Sequence, residues 1–99
     1  MDALIFEIST QGLHHYHVID KPHTRIGRAF DNDIILSEPT VAPYHLDIIR
    51  DDDGKIEIFN LADVNPALFN GYAEKSVTLN TLPINIKLGR ILARIVLPD

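Results

Sequence analysis

Three histidines near the N-terminus are the first residues whose type and spacing could do chemistry. His14, His15 and His17 carry imidazoles, the commonest transition-metal ligands, and in an extended segment His15 and His17 share one face. No cysteine exists in the chain and no carboxylate stands within the run, so the group reads as surface and not as a metal site. Asp51-Asp52-Asp53-Gly54 has the acidity of a calcium loop but lacks its alternating ligands and its glutamate at the twelfth position, and reads as a charged turn. Ser76, His45 and an aspartate supply the residue types of a hydrolytic triad. No nucleophile elbow, phosphate-cradling glycine loop or HExxH helix accompanies them, so the chain reads as a non-enzyme without cofactor or metal.

The elements that must position any site are short and extended. Leu4–Ile8 and His15–Ile19 bracket Gly12 and predict a first hairpin. His23–Arg28 and Ile34–Leu36 flank Asp31-Asn32-Asp33, whose side chains favour turns. His45–Arg50 and Lys55–Asn60 flank Asp51–Gly54 as the clearest hairpin, with Ile56 and Ile58 inward. Leu68-Phe69 leads into Asn70-Gly71, a pair suited to a type I′ turn, and Val77–Leu79, Ile84–Leu88 and Arg90–Leu97 complete the set. Leu88, Leu92 and Ile95 also fall at helical spacing, but Gly89 and the β-branched residues around them favour strands. About ten short strands separated by turns predict an all-β, two-sheet sandwich, because two sheets bury each other's apolar faces.

At 99 residues the chain predicts one domain, 1–99, and the same residues read equally as a whole small protein or as the first domain of a longer one. Fourteen acidic against nine basic residues give a net charge of −5, which opposes the phosphate attraction behind general nucleic-acid binding. No apolar run approaches the roughly 20 residues of a membrane-spanning helix, and no secretory signal is visible, so the expected location is cytoplasmic.

Four stretches in order carry a resemblance. Ile26-Gly27-Arg28 with Asp31–Leu36, Val41-Ala42-Pro43-Tyr44-His45-Leu46, Asn60–Gly71, and Ile86–Gly89 together resemble the forkhead-associated (FHA) domain, a phosphothreonine-peptide reader. The resemblance implies an eleven-stranded β-sandwich with its binding site in loops at one end. It implies a phosphate contact for Arg28, a main-chain contact for Asn65, and structural support of the loops by Gly27, His45 and Gly71. Arg28 reads alternatively as a structural residue paired with Asp31 or Asp33.

The departures from the family pattern matter more than the matches. Where the family carries a serine, three residues before the histidine, this chain has Ala42, and the next position is Pro43, which has neither a side-chain donor nor an N–H. Val64 replaces a threonine and Pro66 a glycine in the third loop. Each lost hydrogen bond to a charged group costs on the order of 1.5–3 kcal/mol, so two weaken phosphopeptide binding roughly a hundredfold or more. The expected function is therefore a non-catalytic protein-interaction module with a degenerate phosphothreonine site. Its partner surface would be built from Arg28, Thr40, Ala42, Pro43, Tyr44, Asn65 and Asn70.

Two alternatives stand beside it. In one, the chain is a genuine phosphothreonine reader in which Arg28, Thr40 and Asn65 compensate for the lost hydroxyl. In the other it is a ring-building module, because Ala42-Pro43-x-His45-Leu46 and the preceding Asp33–Ser37 are similar to the cytosolic FHA-like domain of bacterial type III secretion inner-ring proteins. That likeness implies a bacterial protein and attachment to a membrane protein.

Overall fold

In the strand-forming segments the side chains alternate between core and solvent, and two layers follow from that alternation. The computed structural model describes residues 3–10 and 13–98, and every regular element in them is a strand. In chain order these are β1 (Leu4–Thr10), β2 (Leu13–Ile19), β3 (His23–Gly27), β4 (Ile34–Ile35), β5 (Leu46–Arg50) and β6 (Ile56–Asn60). They continue as β7 (Leu68–Phe69), β8 (Tyr72–Ala73), β9 (Ser76–Thr78), β10 (Ile84–Leu88) and β11 (Ile91–Val96).

One sheet runs β2-β1-β11-β10-β7-β8 and the other β4-β3-β5-β6-β9. All pairings are antiparallel except β3 with β4. Phe6, Ile19, Ile86, Leu88 and Ile95 of the first sheet and Ile26, Leu46, Ile48 and Ile58 of the second are fully buried between the layers. Each such side chain contributes about 1.5–3 kcal/mol by leaving water. Arg50 crosses the interior as well, its Nη1 donating to the Ile19 carbonyl at 3.1 Å and so tying β5 to β2.

The all-β sandwich expectation holds, and most strand limits agree within two residues. The third strand ends at Gly27, and β8 was not anticipated. The helical reading of Leu88–Val96 is overturned: Ile91, Ala93 and Ile95 are buried while Leu92 and Arg94 are exposed, the period of two of a strand. The first hairpin forms in the register Leu4↔Ile19 to Thr10↔Leu13, and its expected turn residue Gly12 lies outside the described residues. Asn70 and Gly71 have φ of 49° and 91°, as a type I′ turn between β7 and β8 requires. Among the described residues no helix is long and apolar enough to cross a membrane.

Candidate functional site

Three loops meet at one end of the sandwich: 28–33 after β3, 36–45 before β5, and 61–67 after β6. Their approach depends on Gly27. A Cβ there would stand 2.3 Å from the Pro43 carbonyl oxygen, so only glycine admits the second loop this close to β3. The Ala42 carbonyl then accepts the Arg28 N–H at 3.0 Å, and the Pro43 carbonyl accepts the Ala29 N–H at 3.1 Å. Asn32 clasps the same junction from within: its buried Nδ2 donates at 2.8 Å to both the Ala29 and the Pro43 carbonyls. Its sequence neighbourhood suggested only a turn former.

His45 is fully buried beneath these loops. Its own N–H donates to the Ile26 carbonyl, its carbonyl accepts the Leu61 N–H, and Nδ1 accepts the Ala42 N–H at 3.0 Å. Nε2 faces the Asn65 backbone without closing a full hydrogen bond. The side chain thus braces the middle loop and faces the third, while its backbone ties β3 to the start of the third loop. Burial pushes its pKa below the ordinary histidine value, with the Asn65 backbone offsetting part of the effect.

Thr40 lies in the middle loop with its polar groups turned to the framework. Its hydroxyl and N–H both donate to the Glu38 carboxylate, and the hydroxyl accepts the Arg90 N–H at 2.8 Å. The Thr40 hydrogen bond holds the Glu38 carboxyl below its usual range despite some desolvation. The Thr40 carbonyl accepts a long 3.4 Å bond from Asn65 Nδ2, and Asn65 sits at a φ of 57°, a left-handed conformation that asparagine tolerates.

Arg28 is exposed. Its Nε donates to the Val41 carbonyl at 3.0 Å, and it makes no ion pair among the described residues. The alternative pairing with Asp31 or Asp33 is not formed, and both carboxylates have other donors. Asp31 accepts the Tyr44 hydroxyl at 2.8–2.9 Å, and Asp33 accepts Lys21 and the Arg25 N–H. The Asp31 contact raises the Tyr44 pKa, while Lys21 leads the groups that lower that of Asp33. Arg25 stacks over the Tyr44 ring at 5.5 Å and grips Asp47 through Nε at 2.8 Å, fixing Tyr44 beside the loops.

Asn70 is not part of this cluster. Its N–H and its Oδ1 bond the carbonyl and N–H of Asn85, whereas the cluster touches the far end of β10 through Thr40 and Arg90. Four residues of strand, about 13 Å, separate Asn85 from Gly89. With Gly71, Asn70 shapes the β7–β8 turn.

Two loop residues present apolar area that the sequence did not mark as a contact: Phe30 had no signal beyond lying outside the alternating segments, and Val64 stood out only as a lost hydroxyl. Phe30 is 90% exposed and Val64 86%, an unusual presentation of apolar area at the loop end. His15 and His17 stand opposite Ile8 and Phe6 on one face of β2, and among the described residues no three potential ligands converge on a cation position.

The arrangement can present the terminal nitrogens of Arg28, the exposed ring of Phe30 and the surfaces of Pro43, Val64 and Asn65 to a peptide or protein. Comparison with known proteins places the scaffold. The FHA domain of Chlamydia trachomatis CT664 superposes with a TM-score of 0.85 at 20% identity, covering 99% of this chain and 100% of that one. The FhaA FHA domain, in complex with the intracellular domain of Rv3910, gives 0.81 at 20% identity over 93% and 98%. The yeast Dun1 FHA domain, bound to a doubly phosphorylated peptide, gives 0.77 at 22% identity over 96% and 74%. No curated protein matches the chain by sequence. The family model of the FHA domain, however, matches residues 24–91, a span that holds all three loops together with Gly27, Arg28, His45 and Asn65, and the chain belongs to the FHA domain family.

Proposed function

We propose that this FHA domain is a non-catalytic protein-interaction module whose phosphothreonine pocket is reduced. The observation that carries the reading is the state of the hydroxyl and amide donors around Arg28. Ala42 has no hydroxyl, and its N–H is committed to His45 Nδ1. Pro43 has no N–H. The Thr40 hydroxyl is enclosed between Glu38 and the Arg90 N–H, so it does not face a ligand beside Arg28. Arg28 is left as the charged donor of the loop end, with the amide of Asn65 as its neutral companion.

Partner contact in this reading draws on apolar area as much as on charge, through Phe30 and Val64. Arg28, Pro43, Tyr44 and Asn65 form the surface, with Thr40 and Ala42 beneath it. The domain acts on the cytosolic side as part of a larger bacterial protein, and the Ala42-Pro43 replacement favours an assembly role of the kind found in secretion rings.

Isothermal titration against a degenerate phosphothreonine peptide library tests the proposal. Binding absent or far weaker than micromolar is expected. Micromolar binding that vanishes on dephosphorylation overturns it in favour of a genuine reader, which the retained Asn65 and the Arg28 guanidinium, without an ion pair among the described residues, would then explain.

A further inference from the structure

The two sheets have four edges, and they are not alike. β4 and β8 are two residues long and β9 is three, so each offers little backbone for another strand to join. β2 is seven residues long, pairs with β1 on one side, and has no strand on its other side among the described residues. The usual guards of such an edge are missing from it: Leu13-His14-His15-Tyr16-His17-Val18-Ile19 contains no proline, lysine, arginine, aspartate or glutamate. Arg50 reaches the Ile19 carbonyl at one end of β2 from the sandwich interior and leaves the outer side of the strand open.

The same segment is close to a palindrome about Tyr16. Antiparallel pairing with itself sets Tyr16 against Tyr16 of the second copy, His15 against His17, and His14 against Val18. Opposed side chains are then an aromatic pair, two imidazole pairs and two imidazole–aliphatic pairs, with no opposed like charge while the histidines are neutral. Tyr16 is 62% and Val18 58% exposed, both on the outer face, where they stand opposite Glu7 and Ile5 of β1. A second copy would cover part of that area.

We propose that β2 is a homodimerisation edge, at which two copies of this chain pair β2 to β2 about a two-fold axis through Tyr16 and join their six-stranded sheets into one. The occupant is a second copy because the pattern complements itself in register, which an isologous contact demands. Acid should open the contact, since protonation sets His15⁺ against His17⁺ twice. The other charged groups facing β2 are Glu7, bound to Arg94 of β11 at 2.8 Å, and Arg50 from β5, and neither lies along the open edge.

Sedimentation velocity on the 99-residue chain, over about 5–500 µM, tests this at about pH 7.5 and about pH 5, either side of the ordinary histidine pKa. The expected result is a concentration-dependent dimer at the higher pH and a monomer at the lower, with native circular dichroism at both. Tyr16→Lys, which opposes two ammonium groups across the axis, should weaken the dimer roughly tenfold or more at neutral pH. Val18→Lys should weaken it too, and serves if Tyr16→Lys loses its fold. His15→Gln with His17→Gln should keep the dimer at the lower pH. A monomer throughout the range at about pH 7.5, or a dimer indifferent to both lysine substitutions, overturns the proposal; a dimer that persists at about pH 5 overturns its histidine control.

Discussion

The backbone N–H of Ala42 donates to Nδ1 of His45 at 3.0 Å, which fixes a buried, neutral imidazole with its proton on Nε2. The loop that carries the altered recognition positions is thus held by a histidine that has to stay unprotonated. A protonated ring would be a donor at both nitrogens, and the Ala42 N–H would lose its acceptor.

Stability should therefore fall in mild acid. Burial lowers the His45 pKa, and burial followed by the nearby His15 lowers that of His17. The unfolded chain takes up these protons near pH 6.5 while the folded chain resists them, so this contribution is complete above about 6.5 and is lost as pH falls towards the folded-state values. Chemical denaturation from pH 8 to about pH 5 should show that decline, and His45→Ala, which costs about 2–4 kcal/mol at neutral pH, should flatten it.

Gly27→Ala should be among the most damaging single-methyl changes available. The added Cβ would meet backbone, the Pro43 carbonyl at 2.3 Å, and no rotamer change can relieve that. A loss of about 2 kcal/mol or more in urea denaturation is expected, with NMR shifts concentrated in residues 28–33 and 40–45.

Thr40→Val separates a structural threonine from a recognising one. The hydroxyl serves Glu38 and the Arg90 N–H, so the variant should melt several degrees lower and leave partner or peptide affinity within about twofold. A large affinity loss with unchanged melting would assign Thr40 to the binding surface.

Arg28→Glu should do the reverse. Its guanidinium makes one bond to the Val41 carbonyl and no ion pair among the described residues, so stability should shift by less than about 0.5 kcal/mol. Any residual phosphopeptide response in an NMR titration should disappear. A protein partner that survives Arg28→Glu but is lost on Phe30→Ser with Val64→Ser contacts the apolar tips.

Much of the scaffold was legible because local rules and the global fold agree. Asn70-Gly71 announces its turn, and the alternation in β6 and β10 announces faces. β8 escaped because two exposed residues carry no period. Asn32 escaped because an asparagine between two aspartates reads as a turn former, whereas its role depends on the Pro43 carbonyl eleven residues away. Residue spacing left Arg28 open to two readings, a phosphate contact or a pairing with Asp31 or Asp33, and only the structure shows those carboxylates taken by Tyr44, Lys21 and the Arg25 N–H.

The sequence by itself determined a β-sandwich, the order of its turns and the absence of hydroxyls at Ala42 and Pro43, because hydrophobic period, turn propensity and side-chain chemistry are local properties. Only the tertiary structure decided which donors still face outward. It placed the Thr40 hydroxyl inside, left Arg28 open, moved Asn70 to another part of the fold and exposed β2 along one edge. Those outcomes depend on which groups from distant segments satisfy one another first, and hydrogen-bond partners chosen across loops leave no trace in residue spacing.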